Sequence, residues 1–272
     1  MIDTHCHLLY DGLYERLDQV LRDARAVGVG GFVTISTTCE DAVRGLAVAD
    51  AHPDVWCTSG IHPLHSADPI DWDSLLRAAR HPKCVAWGEL GLDRHYPDPP
   101  QDLQLRVLEE QLAHIERWTA EGLAKPVVIH CRRAVAELLP VLRASALPRD
   151  RFVFHCFTET PEDARAVLDF GAWISFTGVV TFKGAPGVAE AARLVPEDRI
   201  MCETDAPFLS PEPVRSRRPC EPGFVMHTGR HLAQLRGVPF EDFERTVAPL
   251  GRTLRERTTL YQPVIREGVV AV

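Results

Sequence analysis

Short runs of β-branched and aromatic residues alternate along this chain with longer amphipathic stretches. The runs fall at 1–5, 31–36, 55–59, 84–89, 126–130, 151–155, 172–176 and 199–203, lengths that suit buried strands. Most of the stretches between them place apolar residues at helical spacing. In 101–122, Leu105, Leu108, Leu112, Ile115 and Trp118 share one helix face. The segment 161–168 follows Thr160, a residue able to cap a helix N-terminus. Strand and helix in alternation predict a parallel sheet, and eight such units close a (β/α)8 TIM barrel. The predicted fold is therefore α/β, a single barrel domain over residues 1–272. The densest Pro/Arg stretch, SPEPVRSRRPCEPG at 210–223, reads as one long loop, and loops of that length in compact domains are often functional.

Polar residues recur where the predicted strands end. The first strand runs into His5 and His7, the fourth ends in Glu89, the fifth in His130 and the sixth in His155. The eighth runs into Glu203 and Asp205, and His62 lies just beyond the third. The C-terminal rim of an α/β barrel is where active sites are built, so residues distant in sequence would meet at one mouth. Side chains alternate along a strand, so Asp3, His5 and His7 would share one face and the two imidazoles could chelate a metal. Four histidines (His5, His7, His130, His155) and two carboxylates (Glu89, Asp205) exceed the needs of one four-coordinate ion. They suit two divalent ions sharing a carboxylate, with Mg, Mn or Zn among the candidates. Such a pair clamps the attacking and leaving oxygens of an in-line phosphoryl displacement and lowers the pKa of bound water.

Composition narrows the field. The net charge is −8, which argues against a broad basic surface coating duplex DNA but not against a small site gripping a few phosphates. No apolar run approaches the ~20 residues of a membrane span, and the start lacks a signal-peptide pattern, so the expected location is the cytoplasm. None of the eight cysteines makes a CxxC pair. They are expected to be reduced and buried. Cys6, Cys131 and Cys156 each follow a ligand histidine and would face away from it.

The motifs DTHCH (3–7), GIHP (60–63), GELGLD (88–93), PVVIHCR (126–132), FHCFT (154–158), SFTGVVTFKGA (175–185) and ETDAPFLSP (203–211) occur in this order over most of the chain. In them the chain resembles the TatD family of metal-dependent deoxyribonucleases, within the amidohydrolase-type barrels. The resemblance implies a nuclease that shortens DNA from an unpaired end, mostly 3′ to 5′, with two divalent ions. It implies that His5, His7, Glu89 and Asp205 hold one ion, and that Glu89, His130 and His155 hold the second. Glu89 and Asp205 are then the catalytic carboxylates, with Asp205 placed to take a proton from the attacking water. His62 would contact phosphate or the leaving group, and Glu203 would support a ligand from behind. The chain departs from the family at Cys220-Glu221-Pro222, at His65, at Glu159-Thr160 and at Gly251. None of these is one of the six ligands.

Arg132 and Arg217 are the expected phosphate contacts, since a planar guanidinium suits phosphate oxygens. Arg215 and Arg218 lie beside Arg217 in the long loop, and Lys183 lies in the loop after the seventh strand. Tyr96 could stack on an unpaired base, whereas Phe157 and Phe208 read first as core. Two rival functions stand beside the nuclease. One is another hydrolase on the same scaffold, acting on an ester or amide such as D-aminoacyl-tRNA. Amide and phosphotriester hydrolases of that type commonly carry a carbamylated lysine on strand four, where this chain has Glu89. The other is a non-catalytic metal-binding protein, which would lack ligands that are present here.

Overall fold

The structure, a computed structural model, describes residues 1–247. Its chain order is β1 (Asp3–Cys6), α1 (Leu17–Ala26), β2 (Phe32–Thr34), α2 (Cys39–Ala51), β3 (Val55–Ser59), α3 (Trp72–Arg80), β4 (Cys84–Asp93) and α4 (Gln101–Ala120). It continues with β5 (Val127–Arg132), α5 (Val135–Ala144), β6 (Phe152–Phe154), α6 (Pro161–Phe170), β7 (Trp173–Phe176), α7 (Pro186–Leu194), β8 (Ile200–Cys202) and α8 (Val225–Arg236). The eight strands are parallel and paired in sequence order. This is the expected α/β barrel. Gly251 and the expected domain end at 272 lie outside the described residues.

The strand faces divide the core in two. Phe32, Phe152, Phe154, Ile200 and Cys202 belong to the large cluster that also holds Leu21, Leu108, Trp118 and Leu138 from the helices. Alternate positions form separate small clusters, Val33 with Ile35 and Val85, and Val153 with Met201. With period-two alternation these line the barrel interior. The predicted helices are present, α6 with a capping box. Thr160 Oγ1 accepts the Asp163 N–H at 3.1 Å, and the Asp163 carboxylate accepts the Thr160 N–H at 3.2 Å. The 210–223 stretch holds no strand or α-helix, as expected, and ends in a 3-10 turn at Pro222–Phe224.

Closure of the ring happens at the C-terminal rim. Cys6 bridges Ala206 in parallel fashion. The Asp205 N–H donates to the His5 carbonyl at 2.9 Å, and the His7 N–H to the Ala206 carbonyl at 2.7 Å. Beneath them the buried Asp3 carboxyl group accepts both the N–H and the hydroxyl of Thr204, at 2.9 and 2.6 Å. The seam between the first and last strands therefore passes through the residues singled out as metal ligands.

β4 differs most from expectation: it continues four residues past Glu89. Its ladder with β5 shifts register between Trp87 and Leu90, then runs on through Asp93 opposite Arg132. Two glycines permit the shift. Gly88 (φ +125°) and Gly91 (φ +152°) press on β5 so closely that a Cβ would lie 2.7 Å from the Val128 carbonyl oxygen and 1.9 Å from that of His130. Both φ values also disfavour any side chain.

Candidate metal centre

The six expected ligands converge on one buried point at the rim. β1 supplies His5, and the turn after it supplies His7. Glu89 comes from β4, His130 from β5, His155 from just past β6 and Asp205 from just past β8. Cys6, between the two histidines, faces the other way and packs in the large hydrophobic cluster, as alternation requires.

The first half-site is compact. His5 Nε2 lies 3.7 Å from Glu89 Oε1 and 3.5 Å from Asp205 Oδ1. His7 Nε2 lies 3.5 and 3.2 Å from the same two oxygens. Donor atoms held tetrahedrally at about 2.1 Å from an ion stand roughly 3.4 Å apart, so these four fit one ion. Neither ring nitrogen of buried His5 has a hydrogen-bond partner, nor does His7 Nδ1. Buried polar atoms are rarely left so; an ion between these donors would give His5 Nε2 its missing partner, while the two Nδ1 atoms lie on the far side of their rings.

The second half-site shares Glu89. Its Oε2 lies 2.6 Å from His155 Nε2 and 3.5 Å from His130 Nδ1. Each of these histidines has a carboxylate behind it. The His130 Nε2–H donates to Asp93 Oδ2 at 3.1 Å. His155 Nδ1 faces Glu203 Oε1 at 3.6 Å, and Glu203 is itself fixed by the Cys156 N–H at 2.6 Å. A carboxylate behind an imidazole sets its tautomer and aims the other nitrogen at the metal. Glu203 thus has the supporting place expected of it. Asp93 was not singled out, although it stands four residues beyond Glu89 and so shares its parity along the strand.

The electrostatics suit a cation. Burial alone would raise the Glu89 carboxyl, but His155 above all holds it well below the usual carboxylate range. Asp205 is likewise held low against burial, chiefly by the hydrogen bond with His7. Burial and the neighbouring His155 push His5 down, toward the neutral form that a ligand needs. The carboxylates beside His7, His130 and His155 raise those three against burial, so a bound cation would have to displace their protons. Asp205 adopts φ +57°, a conformation that aspartate tolerates better than most residues.

Around the centre is a cavity of about 520 Å³, lined among others by His62, Arg132, Tyr10, Tyr96 and Phe208. His62 is buried, and its pKa is driven well below the ordinary histidine value by burial and by His130. Its Nδ1 accepts the Leu64 N–H at 3.0 Å. A neutral imidazole has one N–H, so the proton sits on Nε2. That makes His62 a donor rather than a third imidazole ligand, although it lies near Glu89 and His130.

Three expectations change. Arg217 is exposed, does not line the cavity and lies over the Phe224 ring at 4.8 Å. Arg215 stacks on Phe182, and Arg218 bonds the backbone of its own loop; Lys183 is exposed and outside the lining. Phe208 is 44% exposed at the mouth rather than in the core, whereas Phe157 is buried as expected. Cys131 and Cys156 both border the cavity; Cys156 does so where the chain leaves strand geometry at φ +45°.

The family profile described as TatD related DNase matches residues 2–254. The chain belongs to the TatD family. It is 37% identical over 245 residues to the uncharacterized metal-dependent hydrolase YcfH of Escherichia coli (strain K12), covering 89% of this chain and 90% of that protein. It is 34% identical to the 3′-5′ ssDNA/RNA exonuclease TatD of Erwinia tasmaniensis, covering 87% and 92%. Its fold is similar to that of the TatD homologue YJJV of E. coli K12, with a TM-score of 0.83, 27% identity, and 94% and 97% of the two chains covered. This TatD protein is accordingly a metal-dependent hydrolase on a TIM barrel. Among the described residues no helix is long and apolar enough to cross a membrane.

Proposed function

We propose that the chain is a two-metal phosphodiesterase that removes nucleotides from the unpaired 3′ ends of DNA. The observation that carries the reading is Glu89, whose two oxygens face two separate sets of histidines. The exonuclease name borne by the Erwinia relative supports the choice of substrate.

His5, His7, Asp205 and one oxygen of Glu89 would hold one divalent ion; His130, His155 and the other oxygen would hold the second. When bound, such a pair activates water and neutralises charge developing on the phosphate oxygens. The rest falls to the protein. Asp205, ionised at neutral pH, accepts the proton of the attacking water at its carboxylate. His62 donates its Nε2–H to a phosphate or leaving oxygen. Arg132, partly buried in the cavity wall, neutralises a phosphate. Glu203 and Asp93 hold His155 and His130 in register.

The test uses metal-stripped protein and a 5′-labelled single-stranded oligonucleotide, with Mg or Mn restored and Asp205→Asn run beside the wild type. A ladder shortening from the 3′ end, dependent on metal and lost in the variant, is expected. No cleavage despite retained metal binding would overturn the reading and direct attention to acyl substrates, aminoacyl-tRNA first.

A further inference from the structure

Tyr10, Tyr14, Tyr96 and Phe208 are the aromatic side chains left substantially exposed among the described residues, at 38 to 45%. Three of the four, Tyr10, Tyr96 and Phe208, line the one cavity that holds the metal centre. They fall into two groups. Tyr10 and Phe208 meet edge to face, with centroids 5.4 Å apart, and both rings approach His7, at 5.4 and 6.2 Å. Tyr96 lies beneath the Arg132 guanidinium, 5.3 Å from its ring centre. Its backbone N–H is held by Asp93 at 3.2 Å, the same carboxylate that orients His130.

Tyr10 follows β1 and Phe208 follows β8, adjacent across the seam; Tyr96 follows β4 and Arg132 ends β5. In an eight-stranded ring those two pairs stand on opposite sides. Each group is thus tied to one half of the metal centre, the first to His7 and the second to His130. Among the described residues Arg132 is the only lysine or arginine in the cavity lining.

We propose that the mouth carries two base shelves, Tyr10–Phe208 and Tyr96–Arg132, which stack the two unpaired bases on either side of the scissile phosphodiester. This rests on the nuclease reading above and adds to it the register of the strand: one nucleotide over each half-site. Aromatic faces stack with any base, so the shelves favour unpaired ends over sequence. With one permanent cation in the lining and a net charge of −8, grip comes from stacking more than from phosphate neutralisation. Binding should then weaken only gently with salt, with a log–log slope near −0.7 for the one phosphate that Arg132 neutralises, since each neutralised phosphate on a single strand contributes about −0.7.

The experiment compares two 5′-labelled oligonucleotides, one ordinary and one whose last two 3′ residues lack bases. Wild type, Phe208→Ala, Tyr96→Ala and Tyr14→Ala act on both. Tyr14 is equally exposed but stands outside the cavity lining. Each shelf variant should raise KM on the ordinary end roughly tenfold. The wild type should show a comparable or larger loss on the base-free end, where the shelf variants lose less than the wild type does. Tyr14→Ala should follow the wild type throughout. Shelf variants that match the wild type on ordinary ends, or that lose as much as it does on base-free ends, would overturn the shelves alone. No shortening by the wild type would overturn the nuclease reading and the shelves with it.

Discussion

Replacing Asp93 with asparagine should weaken one half of the metal centre and spare the other. His130 presents Nε2 to Asp93 Oδ2 at 3.1 Å and turns Nδ1 toward Glu89 Oε2 at 3.5 Å. A neutral imidazole carries one proton and one lone pair. Asp93 is ionised: burial raises its carboxyl, but His130 and the N–H groups of His95 and Tyr96 bring it down to about 2. The proton therefore sits on Nε2 and the lone pair on Nδ1. Asparagine keeps Oδ1 to accept the His95 and Tyr96 N–H groups, now 2.8 and 3.2 Å away, so the turn survives. Its amide NH2 then faces the Nε2–H, donor against donor. The tautomer must invert, which places the proton on Nδ1 and removes a ligand. Losses behind a metal-bound histidine cost about 10–100-fold in affinity, roughly 1.4–2.8 kcal/mol. Calorimetric titration of Mn into metal-stripped protein should show two equivalents for the wild type. In Asp93→Asn one of them should weaken by that factor and the other stay put, since His5, His7 and Asp205 do not touch Asp93. Equal weakening of both sites, or of neither, would refute the reasoning.

Three further outcomes are expected. Stripping the metal should lower Tm by roughly 5–10 °C per site in protein previously held at a hundred times Kd, where each ion adds about 2.7 kcal/mol; an unchanged melting curve would mean that the centre is not a metal site. Gly91→Ala should cost more than about 3 kcal/mol in chemical denaturation or prevent folding, because its Cβ would overlap the His130 carbonyl at a positive φ, and a well-folded variant would contradict the packing of β4 on β5. Burial pushes the Asp3 carboxyl up to about 8 despite two hydrogen bonds from Thr204, so folding takes up a proton between the unfolded value near 4 and pH 8, and stability falls as pH rises through that window. Asp3→Asn removes the penalty, so in metal-free protein its Tm should gain on the wild type from pH 4 to 8; a constant gap would show that Asp3 is ionised in the fold.

What could be read from the sequence and what could not follows from the range of the forces involved. His5, Glu89, His130, His155 and Asp205 were visible because a parallel barrel puts every strand end on one rim, and strand ends are marked by a local pattern. Asp93 was hidden because that pattern misplaced the end of β4. Two glycines let the strand continue through a register shift, and no hydrophobic periodicity announces a shift. Phe208 was read as core because an apolar ring suggests burial, yet at the mouth of a cavity an aromatic ring is a wall. Arg217 lies outside that lining, over the Phe224 ring. Both placements depend on the course of the 205–221 loop, set by long-range contacts such as the Cys220 N–H to the Pro207 carbonyl at 2.8 Å.

The same long-range pairing explains why the first half-site sits where it does. His5 and His7 lie on one side of the ring closure and Asp205 on the other, joined by the backbone bonds of Asp205 to His5 and of His7 to Ala206. Residues some 200 positions apart in the chain thus become neighbours only when the barrel is shut. An ion held by all three binds the closed ring and not the open chain, so its binding free energy adds to closure. The second half-site lacks this property, since His130 and His155 come from neighbouring strands β5 and β6, already paired without it. Glu89 joins the two, one oxygen facing the seam-spanning set and the other facing His130 and His155.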